Sequence, residues 1–206
     1  MAKLYFKYGA MGSSKSAQAL IAKYNYEERG MRTIILKPTI DTKGADTVVS
    51  RLGVSRKVNY LVNADDCLSN IVKNDIAANG PLNCIFVDEC QFLATSQADQ
   101  LFWIAVEMDI PVICYGLRTD FLTNGFAASS RLLELAHSIE ELKTICRCGK
   151  KAMFNARKIN GRFVFEGEQV AIDNENNVEY ESLCPVCYLK EKNKDKEQLD
   201  VTPMTE

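Results

Sequence analysis

The sequence predicts an α/β fold: a parallel sheet with helices on both faces, followed by a small β module built around paired cysteines. Three observations carry this. From residue 3 to about 145, short apolar runs alternate with segments of helical periodicity, the pattern of strand–helix–strand units with parallel strands. Two of the runs, Cys84-Ile85-Phe86-Val87 and Pro111-Val112-Ile113-Cys114-Tyr115, are apolar throughout, as in strands buried on both faces. After about residue 143 the pattern gives way to clustered cysteines and short alternating segments.

Taken in order, Leu4-Tyr5-Phe6-Lys7-Tyr8 reads as a first strand ending at Gly9. Lys7 interrupts its apolar run, so the N-terminus does not read as an export signal. Between Ser14 and Arg29, the residues Ala17, Leu20, Ile21 and Tyr24 recur at helical spacing, and Gly30 closes the segment. Thr33-Ile34-Ile35-Leu36 is a second strand, stopped by Pro38. Residues 39–58 are polar, contain Gly44 and Gly53, and read as a long loop of the kind that is usually functional. Helices are expected over Asp66–Asp75, Ala98–Met108 and Ser129–Leu142. The last contains His137, the only histidine, for which a structural or surface role is expected. In the later module Ala152–Ile159 and Arg162–Phe165 read as strands joined by Asn160-Gly161, a strong hairpin signal. From Lys190 onward the chain is mostly Lys, Glu, Asp and Asn and reads as a solvated tail. The expected organisation is therefore an α/β domain over 1–142, a cysteine-bearing module over 143–190 and a charged, disordered tail over 191–206.

Bulk composition agrees. With 206 residues, 47% of them hydrophobic, the chain can build one good core and a small satellite. A net charge of −2 argues against a general nucleic-acid coat, which needs a basic face. No apolar stretch approaches the roughly 20 residues that span a bilayer. Without an export signal the eight cysteines are expected as thiols in a reducing cytoplasm.

The turn after the first strand, Gly9-Ala10-Met11-Gly12-Ser13-Ser14-Lys15-Ser16, has the spacing of a P-loop. In such a loop, backbone N–H groups and the helix N-terminus face the phosphates of a nucleoside triphosphate. Lys15 would meet the β- and γ-phosphates and Ser16 would coordinate Mg²⁺. Ser14 stands where a second glycine is usual, and the bland alternative is a Gly/Ser-rich turn with a capping serine. Context favours the phosphate reading. The apolar strand 84–87 ends in Asp88-Glu89, the Walker B pattern. Asp88 suits Mg²⁺ and Glu89 suits a general base.

Cys146-Arg147-Cys148 and Cys184-Pro185-Val186-Cys187 form two close pairs. Brought together by a hairpin, they can supply four thiolates to a structural Zn²⁺; the alternative is four incidental buried thiols. Cys67, Cys84, Cys90 and Cys114 lie in or beside apolar segments and read as small core residues.

The P-loop, the segment Val87-Asp88-Glu89-Cys90-Gln91-Phe92-Leu93 and the segment Tyr115-Gly116-Leu117-Arg118-Thr119-Asp120-Phe121 together resemble the type II thymidine kinases, the cytosolic, zinc-containing family. The resemblance runs from about residue 3 to about 189. It implies a P-loop core with a zinc-ribbon-like module carrying a lasso loop, and transfer of the γ-phosphate of ATP to the 5′-hydroxyl of thymidine or deoxyuridine. It implies Glu89 as the base, and Gly9 to Ser16 with Asp88 and Gln91 around the nucleotide phosphates. Met11, Phe92, Leu117, Phe121 and Phe126 would line the nucleoside pocket, with lasso residues Val170, Ala171, Ile172 and Tyr180. Taken alone, each phenylalanine reads as core packing before it reads as a pocket residue. Residues 173–179 are longer than the family's usual short turn. Arg118 and Arg51 stand as candidates for phosphate contact, Arg118 equally for solvating a loop. A homotetramer, and thymidine triphosphate as a feedback inhibitor, are also implied. The competing function is a P-loop ATPase switch or motor whose zinc module grips nucleic acid or protein. The modest basic run Lys150, Lys151, Arg157, Lys158 and Arg162 would have to serve it, and a solvated hairpin explains that run equally well.

Overall fold

The protein is described here by a computed structural model covering residues 1–41, 46–51, 53–169 and 177–200, with side chains through residue 194. It forms two compact units. Unit 1 comprises Met1–Gly9, Ser14–Arg118 and Gly125–Leu142, and unit 2 comprises Ala10–Ser13, Thr119–Asn124 and Lys143–Glu206. Two short segments of the first 142 residues therefore cluster with the cysteine module.

Unit 1 contains β1 (Leu4–Tyr8), α1 (Lys15–Glu27), β2 (Thr33–Pro38), β3 (Thr47–Val49), β4 (Ser55–Lys57), β5 (Tyr60–Val62), α2 (Leu68–Asn79), β6 (Cys84–Val87), α3 (Thr95–Glu107), β7 (Val112–Gly116), α4 (Ala127–Leu135) and β8 (Ser138–Glu141). Six strands form one sheet in the order β5-β2-β6-β7-β1-β8, and every pairing in it is parallel.

Strand alternation sorts the apolar runs onto two faces. Ile34, Leu36, Ile85, Val87, Val112 and Cys114 face one cluster, together with Leu68 and Val72 of α2, Ala98, Leu101 and Ile104 of α3, and Leu132 of α4. Their neighbours Ile35, Cys84, Phe86 and Tyr115 join the other cluster with Ala19 and Leu20 of α1. This explains why the central runs are apolar at every position. It also shows an uneven cover: three helices lie on one face, and α1 with Val48 and Val58 of the β3–β4 region on the other.

Three expectations are corrected. The helix expected over Ser129–Leu142 ends at Leu135, and Ser138–Glu141 is an edge strand parallel to β1. Its only apolar residue, Ile139, is 47% exposed, so no burial pattern marks it. His137 thus leaves the helix: its N–H donates to Leu4 O at 2.9 Å, its Nδ1 accepts from Leu4 N at 3.0 Å, and its ring stacks on Phe102. The long loop at 39–58 contains the antiparallel hairpin β3–β4. Finally, residues expected to begin a disordered tail at 191 continue a helix as far as Asp200; residues 201–206 lie outside the described residues.

Unit 2 contains β9 (Thr144–Ile145), β10 (Lys151–Ala152), β11 (Phe154–Ile159), β12 (Arg162–Val164), β13 (Val178–Leu183) and α5 (Pro185–Asp200). β11 is the centre of a three-stranded antiparallel sheet, flanked by β12 and β13. Asn160 and Gly161 join β11 to β12 with φ of 50° and 78°, the left-handed pair that a tight hairpin turn requires. A small core gathers Ala152, Ala156, Phe165, Leu183 and Tyr188. The Tyr188 ring meets Phe154 and Phe165, each at 5.2 Å. Among the described residues, no helix is long and apolar enough to cross a membrane.

Candidate active site and metal centre

The phosphate-binding candidates of unit 1 sit where β1 hands over to α1. Gly9 N donates to Gly116 O at 3.3 Å, which ties the end of β1 to the end of β7. Ser14 has φ 61° and ψ 24°, and its side chain caps nothing. It therefore occupies the left-handed backbone that a glycine would adopt freely, at a cost of about 1–2 kcal/mol. The turn geometry persists despite the missing glycine. Lys15 is buried, and its Nζ donates to Gly9 O at 3.0 Å. Burial lowers its pKa, while the carboxylates of Glu89 and Asp88 oppose that shift. Ser16 Oγ donates to Asp88 Oδ1 at 3.3 Å, so the helix start and the Walker B strand meet through these two oxygens.

Asp88 is 4% exposed, and its carboxyl is pushed up to about 7, first by burial and then by the charge of Glu89. The bond from Ser16 and the charge of Lys15 oppose that shift. Glu89 has φ 51°, a left-handed backbone that is uncommon for a side chain of this size and is characteristic of functional sites. Its Oε2 accepts from Gln91 Nε2 at 2.6 Å, and Gln91 Oε1 accepts from Leu117 N at 3.0 Å. Gln91, expected near phosphates, thus bridges Glu89 to the backbone after β7. Gly116 makes room for it: a Cβ there would lie 2.6 Å from Cys90 Sγ and 2.7 Å from Gln91 Oε1. Cys90 is fully buried, and burial followed by the neighbouring Cys114 thiol raises its pKa. Phe92 and Phe126 meet edge to face at 5.7 Å, and Leu117 is buried.

The remaining P-loop residues belong to unit 2. Ser13 N donates to Ala10 O at 3.2 Å. Met11 is held on both sides of its backbone: its N–H donates to Asn155 Oδ1 at 2.8 Å, and its carbonyl accepts from Ser182 Oγ at 2.5 Å. Thr144 Oγ1 donates to Gly12 O at 3.2 Å. Phe121 and Tyr180 both contact Arg157, whose guanidinium lies over the Phe121 ring at 3.6 Å. Val170, Ala171 and Ile172 lie outside the described residues.

Sequence reasoning missed Gly116, Asn155, Ser182 and the placement of Arg157. Gly116 was visible only as part of a quoted segment, and the others become neighbours of these loops only through strand pairing. Of the two arginines proposed for phosphate, Arg118 lies over the Tyr8 ring at 5.5 Å. Arg51, in the turn between β3 and β4, lies close enough to Lys15 to depress its pKa.

The four cysteines of unit 2 converge. Their Sγ atoms all lie within 4.8 Å of one another, and Cys148 Sγ is 3.6 Å from those of Cys146 and Cys184. A tetrahedron with Zn–S bonds of about 2.3 Å has edges of roughly 3.8 Å, so the cluster fits a structural zinc. None of the four is in a disulfide. The Cys187 N–H donates to Cys184 Sγ at 3.5 Å, and that backbone bond leads the effects that bring the Cys184 thiol down to about 7.

A buried aspartate followed by a half-buried glutamate at the end of a parallel strand, with the Lys-Ser helix start bonded to that aspartate, places unit 1 among the P-loop proteins. The chain belongs to the thymidine kinase family, whose profile matches residues 2–188. It is 47% identical over 187 residues to the thymidine kinase of Rhodopirellula baltica, covering 89% of this chain and 86% of that one. To the Shewanella oneidensis enzyme it is 45% identical, covering 89% and 95%. To that of Enterobacteria phage T4 it is 44% identical, covering 89% and 94%.

Proposed function

We propose that this chain transfers the γ-phosphoryl group of ATP to the 5′-hydroxyl of thymidine or deoxyuridine in nucleoside salvage in the cytoplasm. The observation that carries the reading is the Glu89 carboxylate, held by Gln91 in the unit that also joins Ser16 to Asp88, in a chain of the thymidine kinase family.

Glu89 takes the proton of the acceptor hydroxyl. Gln91 fixes one of its oxygens and leaves the other for that proton. Lys15 and the N–H groups of residues 9–16 stabilise negative charge on the phosphates. Ser16 and Asp88 are the residues that would hold Mg²⁺, which neutralises phosphate charge when bound. The residues we assign to the nucleoside base are Phe92, Leu117, Phe126, Met11, Phe121, Tyr180 and residues 170–172, as the family resemblance implies. Cys146, Cys148, Cys184 and Cys187 hold a structural Zn²⁺ that does no chemistry. A homotetramer and feedback inhibition by thymidine triphosphate complete the reading.

The test is a nucleoside panel with ATP and Mg²⁺. Thymidine and deoxyuridine are expected to stimulate turnover far above purine nucleosides, DNA or RNA. Glu89→Gln should lower kcat by about 10²–10⁴-fold while ATP and thymidine still bind. Stimulation by nucleic acid with no response to any nucleoside would overturn the reading and favour the motor.

A further inference from the structure

The buried face of α4 consists of Ala128, Ser129 and Leu132. Ala128 and Leu132 join the larger apolar cluster, and Ser129 between them is fully buried. A hydroxyl in that setting is destabilising unless it is bonded. A helical serine ordinarily returns its hydroxyl to its own helix or turns it to solvent. Ser129 does neither: its Oγ donates to Leu117 O at 2.6 Å, twelve positions back along the chain.

Leu117 is the first residue after β7, and both of its backbone polar groups are used. The carbonyl accepts from Ser129, and the N–H donates to Gln91 Oε1 at 3.0 Å. The next carbonyl, that of Arg118, accepts from Phe126 N at 3.2 Å. Phe126 is the residue that caps α4, so the start of this helix fixes the chain leaving β7 at two consecutive carbonyls. The Leu117 N–H in turn decides which way the Gln91 amide faces, because an amide has one donor end and one acceptor end. With Oε1 committed to Leu117, Nε2 faces the other way and donates to Glu89 Oε2 at 2.6 Å. Reversed, Gln91 would set its carbonyl oxygen against a carboxylate. Gln91 and Leu117 are 3% and 5% exposed, which leaves water little access to replace either partner.

We propose that Ser129 is a positioning residue for Glu89, acting through the Leu117 backbone and the Gln91 amide without touching nucleotide or nucleoside. This role rests on the reading of Glu89 as the base that takes the acceptor proton. The Phe126 ring meets Phe92 edge to face, so one helix start carries an aromatic residue assigned to the nucleoside and the hydroxyl that orients the base. Ser129→Ala removes the hydroxyl with almost no change in volume. It should lower kcat about tenfold, with the KM values of thymidine and ATP within about threefold. Ser129→Thr keeps the hydroxyl and Ser129→Val has the same bulk without it. Even where both lose stability, Ser129→Thr should exceed Ser129→Val in kcat by about tenfold. In a Gln91→Leu background, Ser129→Ala should lower kcat by less than about twofold further, because the relay is already cut. Equal kcat in Ser129→Thr and Ser129→Val, or a full tenfold loss on top of Gln91→Leu, would overturn the proposal.

Hydrogen exchange of the full chain gives a readout that needs no substrate. In Ser129→Ala the Leu117 amide should exchange at least about tenfold faster, while the amides of β6 and β7 remain unchanged. If the parent protein phosphorylates no nucleoside, the reading of Glu89 fails, and this exchange result still decides whether Ser129 holds Leu117. Parental exchange at Leu117 in Ser129→Ala would overturn the proposal equally.

Discussion

The two units reach order by opposite routes. Unit 1 has a sheet buried on both faces, with two large apolar clusters fed by alternate residues of the same strands. Its candidate catalytic groups extend from strand ends that the core already fixes. Unit 2 has one small cluster, and two of its members, Cys146 and Cys184, are thiols of the metal-type group. Its loops are held by individual side chains: Asn155 and Ser182 on Met11, Arg157 on the 168–169 backbone, Tyr188 on Phe121. In unit 1 order is distributed and a single change is diluted, whereas in unit 2 it is concentrated and a single change is felt throughout.

Metal removal should expose that contrast most sharply. Chelation under reducing conditions is expected to abolish the near-ultraviolet signal of the unit 2 aromatics and to cut thymidine affinity on the order of 100-fold. Most far-ultraviolet ellipticity should persist, since the sheet and its covering helices belong to unit 1. Simultaneous loss of both signals would show that the units do not differ in this way. The next effect probes the one place where unit 1 has no slack. Gly116→Ala drives a methyl into Cys90 Sγ and Gln91 Oε1, which should cost about 1–3 kcal/mol in denaturant unfolding. By displacing Gln91 from Glu89 it should also lower kcat roughly tenfold, with thymidine KM little changed.

The smallest effect is a pH dependence. Asp88 titrates near 7 in the folded chain against an ordinary 3.8. The folded state therefore binds its proton more tightly than the unfolded state does. The stabilisation from keeping Asp88 neutral is complete below 3.8, and it is lost as pH rises through 7. Asp88→Asn mimics the neutral form. Without added Mg²⁺ its melting temperature should match the parent near pH 4 and exceed it by roughly 5 °C at pH 8. An advantage independent of pH would mean that the carboxyl is already ionised in the folded protein.

Legibility in the sequence followed the same division. The buried strands of unit 1 announced themselves because burial on both faces leaves no polar position, and Asp88-Glu89 stood out by ending such a run. The Asn160-Gly161 turn was legible because its backbone demands those residues. β8 was not: Leu132, Leu133 and Leu135 extend a helical rhythm into an edge strand whose side chains are mostly solvated. No strand was expected over β13, whose Glu179, Glu181 and Ser182 give it no apolar run. The helix beyond residue 190 carries no apolar stripe to reveal it. The roles of Gln91, Asn155 and Arg157 exist only once distant segments are paired, and no local pattern encodes that.

The strand order carries a consequence for how the chain is made. Among the described residues, β1, with its buried Leu4 and Phe6, pairs only with β7 and β8. During synthesis β1 thus waits for residues 112–116 before it has its first neighbour, and for 138–141 before it has its second. At 5–20 residues per second that interval is roughly 5–20 s. Over that interval β2 can already pair with β5 and then β6, while an apolar N-terminal strand stays unpartnered. β1 and the loop it leads into therefore gain their sheet neighbours only late in synthesis.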